Sequence, residues 1–169
     1  MANSFEADEI ASAILRLYSS LSLDPPSGQY TILAAFVLSS SLSDSFKVIS
    51  LSTGSKCLPS IRLPPAGDAV HDSHAEVLAR RGAIRWFVEE VGRCIRNNHQ
   101  YQSQWIEEQA DPVGTFSLRQ GVEIHLYIST VPCEILSSPH KGIQFLKQKK
   151  VATRRLATWP RFKTRTWPH

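Results

Sequence analysis

The strongest helical period in the chain runs over residues 73–93, and it begins almost on a histidine. Val77, Ile84, Phe87, Val88 and Val91 fall on one broad face, Asp72 or Ser73 can serve as N-cap, and the helix is expected to start at about His74. A helix of this length with one apolar side needs a layer to lie on. Two runs upstream supply it: residues 30–38 and 46–51 are apolar or β-branched and are separated by the polar stretch 39–45, which reads as a hairpin. A third strand is expected over residues 122–129, where Ile124, Leu126 and Ile128 alternate with Glu123, His125 and Tyr127. Before the hairpin, residues 6–21 place Ile10, Ala13, Ile14, Leu17 and Leu21 at helical spacing, with acids in the first turn and Asp24-Pro25-Pro26-Ser27-Gly28 as a stop. Helix, hairpin, helix, strand is an α/β order. Two stretches remain. Gly54-Ser55-Lys56-Cys57 opens a loop of about 17 residues, long enough to be a candidate functional loop. Residues 97–121 are polar and Gln-rich and read as an insertion or linker.

At 169 residues the chain has room for one ordinary domain, and 42% hydrophobic with 20% charged residues lets it bury a core. The net charge of +4 is unevenly distributed: the first 140 residues hold 10 basic and 15 acidic groups, whereas residues 141–169 hold nine basic groups and no acid. The body is acidic and the tail is basic, a balance that suits an anionic partner. Three cysteines, Cys57, Cys94 and Cys133, are too few and too odd for a disulfide scaffold, so each is a candidate for metal, catalysis or core. No apolar stretch approaches the roughly 18 residues of a membrane span. The N-terminus lacks the basic start and apolar run of a signal peptide, so no membrane partner and a cytoplasmic or nuclear setting are expected.

Chemistry concentrates in two groups, His74-Ala75-Glu76 at a helix start and Pro132-Cys133 just after a strand. Each alone is bland, since a histidine at a helix start commonly caps or faces solvent and a single cysteine commonly fills core. Together, H-x-E followed by P-C is the first part of the zinc deaminase signature. Imidazole and thiolate suit a tetrahedral zinc with one position open, and the nearby Glu, which is not a ligand, moves protons. The first turn of a helix also favours a thiolate delivered nearby.

Three separated runs in order carry a resemblance: Ser52-Thr53-Gly54-Ser55-Lys56-Cys57, then His71-Asp72-Ser73-His74-Ala75-Glu76-Val77-Leu78-Ala79-Arg80-Arg81-Gly82, then Tyr127-Ile128-Ser129-Thr130-Val131-Pro132-Cys133. Over residues 5–133 the chain resembles the adenosine-to-inosine RNA editases, and within them the tRNA-specific adenosine deaminases that act beside the anticodon. The resemblance implies a cytidine-deaminase-like α/β fold, a mixed sheet with flanking helices. It implies zinc ligands at His74 and Cys133, a proton shuttle at Glu76, and RNA contacts at Ser55 and Lys56. It further implies a buried inositol hexakisphosphate reached by Arg80 and Arg81, two residues that on their own read as a solvated helix face. The implied activity is hydrolytic deamination of an adenine taken out of its stack in tRNA.

The chain also departs from that pattern. No cysteine follows Cys133 to act as the family's third zinc ligand, and His140 reads as a chance histidine in a polar segment. Where the family continues from P-C into a segment like Gly-Asp-Ala-Ser-Thr-Arg-Tyr-Leu-Ala, this chain has Glu134-Ile135-Leu136. Residues 151–168, back-translated and read one base out of frame, can nonetheless encode Gly-Asp-Ala-Ser-Thr-Arg-Tyr-Leu-Ala-Ser-Phe-Gln-Asp-Pro-Asp-Met-Ala. A splice donor can begin within the Cys133 codon and an acceptor can end the Lys150 codon, enclosing a length that three does not divide. The organisation expected is therefore an editase N-terminal part over residues 1–133 and an aberrant basic tail over 134–169, from a retained intron and a frameshift. A chain so truncated is expected to be inactive. Two other readings stay open: a catalytically dead RNA-binding or regulatory fragment, and an editing deaminase of double-stranded RNA.

Overall fold

All eight residues of strand β1 (Leu33–Ser40) are buried, and this sets the layout. A strand covered on both faces must be central and must have a layer on each side. The computed structural model describes residues 7–23, 30–62, 64–66, 68–96, 101–110 and 114–130, together with the backbone of 151–154 and 162–163. In it β1 pairs antiparallel with β2 (Ser45–Thr53) on one side and with β7 (Val122–Ile128) on the other. Strand β8 (Val151–Arg154) adds antiparallel to β7, giving the order β2-β1-β7-β8. The tail backbone thus takes the edge beside β7.

Alternation along β1 divides the core in two. Ala34, Phe36 and Leu38 face helix α2 (Ala75–Arg96), while Leu33, Ala35 and Val37 face helix α1 (Ala7–Ser20). The fold is α/β with helices on both faces of the sheet, and every described strand pairing is antiparallel. From α1 only Ile10, Ala11 and Ile14 become fully buried, with Ala7 and Tyr18 packed against the same cluster; Leu17 and Leu21, which share the helical period, stay exposed.

Helix α2 seats by an alanine stripe rather than by the valine-rich face its sequence suggests. Ala75, Ala79, Ala83, Phe87, Val91 and Cys94 are buried, Val77 and Ile84 are half-buried, and Val88 is 55% exposed. Small side chains let the helix backbone approach the sheet closely. A register shift between β1 and β2 at Phe36/Val37 turns both Ile49 and Ser50 toward this helix. Ser50 Oγ then donates to the Ala79 carbonyl at 2.7 Å and Ser52 Oγ to the Ala75 carbonyl at 2.5 Å. Gly82 continues the close contact, since a Cβ there would lie 3.0 Å from the Ser50 Cβ.

The Gln-rich stretch expected to be a linker is instead part of the structure. It contains strands β5 (Ile106–Glu108) and β6 (Thr115–Leu118), an antiparallel pair extended by β9 (Phe162–Lys163). Trp105, Ile106 and Phe116 join the α2-side core, a contribution that the average polarity of the stretch conceals. Buried Glu90 of α2 ties the segment down by accepting hydrogen bonds from Tyr101 Oη at 2.9 Å and from Arg93. Bonding to Glu90 raises the Tyr101 phenol above its ordinary range.

His125 on β7 is buried, with Nε2 2.7 Å from Ser39 Oγ. Burial pushes its imidazole below the usual 6.5, partly offset by Glu123. The native state therefore holds the neutral ring. Above pH 6.5 neither state is protonated there; as the pH falls below it, the unfolded chain takes up a proton that the folded chain does not. Stability is expected to be lower at pH 5.5 than at pH 7.5 through this residue. Urea midpoints at the two pH values measure it, and His125→Leu should flatten the difference.

Candidate active site

The loop that opens at Gly54 is a two-stranded ribbon. Strand β3 (Ser55–Cys57) pairs antiparallel with β4 (Asp72–His74), placing Ser55 opposite His74, Lys56 opposite Ser73 and Cys57 opposite Asp72. Period-two alternation then sets Ser55, Cys57, Asp72 and His74 on one face of the ribbon and Lys56 and Ser73 on the other. His74 is the last residue of β4, and α2 starts at the next residue. The histidine is thus held by a strand, not by the first turn of the helix as the sequence suggests.

A backbone relay fastens this junction to the sheet. Gly54 N–H donates to the Ile32 carbonyl at 3.1 Å, and the Ala75 N–H donates to the Gly54 carbonyl at 3.0 Å, satisfying an N–H of the helix start. The close approach excludes a side chain: a Cβ on Gly54 would lie 1.9 Å from the Ser73 carbonyl oxygen. At the neighbouring position the Ser129 N–H donates to the Leu33 carbonyl at 2.9 Å, and the Leu33 N–H to Ser129 Oγ at 3.0 Å. The end of β7, from which the chain proceeds toward Cys133, therefore lies next to the strand end that anchors His74. Cys133 itself lies outside the described residues.

Within the ribbon face the polar groups converge. Asp72 Oδ1 accepts from the His74 backbone N–H at 3.0 Å and lies 2.8 Å from His74 Nδ1. Cys57 Sγ sits 3.3 Å from that Nδ1 and 3.7 Å from Asp72 Oδ1. The backbone bond from His74 does most to hold the Asp72 carboxyl below the usual carboxylate range; burial opposes it, and the His74 ring and the Cys57 thiol add to the lowering. Asp72 is therefore ionised at neutral pH and orients the His74 ring.

Of the residues singled out in the sequence, His74 and Glu76 are brought together: His74 ends the ribbon and Glu76 lies in the first turn of α2, both half-buried. Ser55 and Lys56 are exposed beside them. Arg80 and Arg81, one turn further along α2, are both exposed. Cys57 and Asp72 join the site without a local signal: in the sequence Cys57 is one of three thiols and Asp72 a possible cap, and their pairing across the long loop is a tertiary fact.

The donors present suit zinc. His74, Cys57 and Asp72 each offer one ligand atom within 4.8 Å of the others, and among the described residues they are the one such group of three. Imidazole nitrogen, thiolate sulfur and carboxylate oxygen are all zinc ligands.

The adenosine-deaminase (editase) domain pattern matches residues 50–159, which contain both the ribbon and α2. The chain belongs to the adenosine-deaminase (editase) domain family. Relatives include the double-stranded RNA-specific adenosine deaminase of Rattus norvegicus, 35% identical over 75% of this chain and 11% of the relative. The tRNA-specific adenosine deaminase 1 of Schizosaccharomyces pombe is 36% identical over 62% of this chain and 26% of its own length. That of Saccharomyces cerevisiae is 32% identical over 75% of this chain and 33% of its own length. The chain thus spans between a tenth and a third of these relatives. Among the described residues no helix is long and apolar enough to cross a membrane.

The glycine contact carries a prediction. Gly54→Ala must displace the backbone at Ser73, so it is expected to cost about 3 kcal/mol or more, read as a lower urea midpoint. Asp72→Asn, at a half-buried position where the amide oxygen can still accept from the His74 N–H, should instead change the midpoint by about 1 kcal/mol or less. Its effect should appear at His74, whose ring nitrogen signals in NMR are expected to shift toward those of an untethered imidazole.

Proposed function

We propose that this domain is built for zinc-dependent hydrolytic deamination of adenosine to inosine in tRNA, beside the anticodon. The observation that supports the reading best is the strand-to-helix junction: His74 and Glu76 stand on its two sides, half-buried, with exposed Ser55 and Lys56 at the rim. His74 and Cys133 would hold the zinc, which when bound makes a water nucleophilic near neutral pH. Glu76 would act as the proton carrier, accepting a proton from the attacking water and delivering protons to the purine nitrogen and the departing ammonia. The target adenine would have to leave its stack, and exposed Ser55 and Lys56 would contact the RNA around it.

Arg80 and Arg81 would bind inositol hexakisphosphate, as two adjacent guanidiniums suit a polyphosphate. Double-stranded RNA is the second substrate reading, favoured by the 35% identity over 75% of this chain to the rat double-stranded RNA-specific enzyme. The setting proposed is cytoplasmic or nuclear.

The test is inosine formation in tRNA transcripts and in a perfect RNA duplex, scored by sequencing. The product of the transcript spliced from within the Cys133 codon to the end of the Lys150 codon, which shifts the reading frame, is expected to convert adenosine in tRNA. Glu76→Gln should slow that conversion by about 10²- to 10⁴-fold. The 169-residue chain, in which no cysteine follows Cys133, is expected to stay near background. Conversion confined to the duplex would move the substrate to double-stranded RNA. RNA binding with no conversion by either product would favour a regulatory fragment.

A further inference from the structure

The basic tail meets the acidic body at the edge of β6. There the backbone of β9 adds antiparallel, with Phe162 beside Phe116 and Lys163 beside Thr115. It supplies the outer strand of the order β5-β6-β9, covering an edge that would otherwise present unpaired N–H and C=O groups. Alongside lies a cavity of about 380 Å³ between this small sheet and Cys94, near the end of α2. Phe116 belongs to both features, as the register partner of Phe162 and as part of the cavity wall.

The lining of the cavity is apolar with a negative bias. Tyr101, Ile106 and Phe116 give it aromatic and aliphatic walls, and Glu107 and Glu108 add two carboxylates, of which Glu108 also accepts from the Gly114 N–H at 3.1 Å. Among the described residues that line it there is one guanidinium, Arg119, and its Nε donates to the Ser103 carbonyl at 2.6 Å and to the Ile106 carbonyl at 3.3 Å. The terminal carbonyls of α2 contribute further partial negative charge at this end. Such a surrounding favours cations carried on hydrocarbon stems. The tail has that chemistry: residues 141–169 hold nine basic groups and no acid, and around β9 the run Arg161-Phe162-Lys163-Thr164-Arg165 places a cation at every second position.

We infer that the β6 edge and the cavity beside Phe116 form a docking site for a basic extended segment, and that the chain's own tail around β9 is its occupant. Backbone pairing supplies the hold, and the two carboxylates supply the preference for a cationic strand. The site lies at the opposite end of α2 from His74, and α2 spans 22 residues, about 33 Å at 1.5 Å per residue. The tail cations are therefore drawn to the acidic body, away from the junction where RNA would enter, and the tail acts as an intramolecular strap instead of an RNA-binding arm. The inference stands on the sheet pairing and the charge of the cavity, and not on the deaminase reading.

Trypsin tests it with the full 169-residue chain, because Arg161, Lys163 and Arg165 are themselves cleavage points. Cleavage after Lys163, followed by mass spectrometry, is expected to be at least about tenfold slower in the folded chain than in a synthetic peptide of residues 155–169, since cutting requires the strand to leave its edge. Two changes should each remove most of that protection. One is salt at about 0.5 M, measured against the peptide at the same salt, which screens the carboxylates. The other is Glu107→Lys combined with Glu108→Lys. Since charge reversal can unfold the chain, the milder pair Glu107→Gln and Glu108→Gln, checked for an unchanged urea midpoint, provides a second variant with an expected intermediate rate. Cleavage of the full chain as fast as the free peptide would overturn the inference. Protection that survives both high salt and the Gln pair would overturn it as well, because the seat would then have no preference for cations. Protection that appears only on addition of tRNA would replace it with an RNA-binding tail.

Discussion

Everything near the candidate site depends on how closely α2 lies against the sheet and on the backbone junction at Gly54. One residue there links three elements. Its N–H reaches back to Ile32, its carbonyl receives the N–H of Ala75 at the helix start, and its missing side chain makes room for the Ser73 carbonyl. Hydrogen bonds from Ser50 and Ser52 to helix carbonyls continue the contact along the alanine stripe. A helix start that is hydrogen-bonded, rather than left to solvent, holds its first-turn residues in a defined place. That rigidity is what a site built on His74 and Glu76 needs, because misplacement of a catalytic group by an ångström is costly.

The same junction explains why the ribbon carries polar residues at a density unusual for a short strand pair. The ribbon contributes little to the hydrophobic core, and β3 is exposed throughout. Its register is set instead by Gly54 at one end and by the Leu58–His71 bond at the other. Asp72 then performs two tasks, receiving the His74 backbone N–H and holding the His74 ring. Because the carboxylate is ionised, both bonds are charge-assisted and stronger than neutral ones. The residues matched by the family's domain pattern, 50–159, contain this junction.

Much of the framework was legible in the sequence because it follows from local periodicity. The hairpin of β1 and β2, the two helices and β7 are each long enough for alternation or a helical repeat to be counted. What failed did so for identifiable physical reasons. Val88 satisfies its helical period but lies off the stripe of Ala75, Ala79, Ala83, Phe87, Val91 and Cys94 on which α2 seats, and Leu17 lies beside the Ile10, Ile14 and Tyr18 face of α1 that packs on the sheet. Trp105, Ile106 and Phe116 are core residues set in a stretch whose Gln and charged residues dominate its average. His125 occupies a polar position of an alternating strand and yet is buried, because α1 covers that face of the sheet and Ser39 is there to meet the ring.

The sequence by itself determined the family pattern, the His74-Ala75-Glu76 spacing and the order of the main elements, since these depend on residues adjacent in the chain or repeated at a fixed period. Tertiary structure alone decided that His74 belongs to a strand, that Gly54 has to be glycine for steric reasons rather than for a positive backbone angle, and that Cys57 and Asp72 converge on the His74 ring. Those facts arise from pairing between segments separated by a loop, and the register of such a pairing is set by anchors at its two ends that no local pattern records.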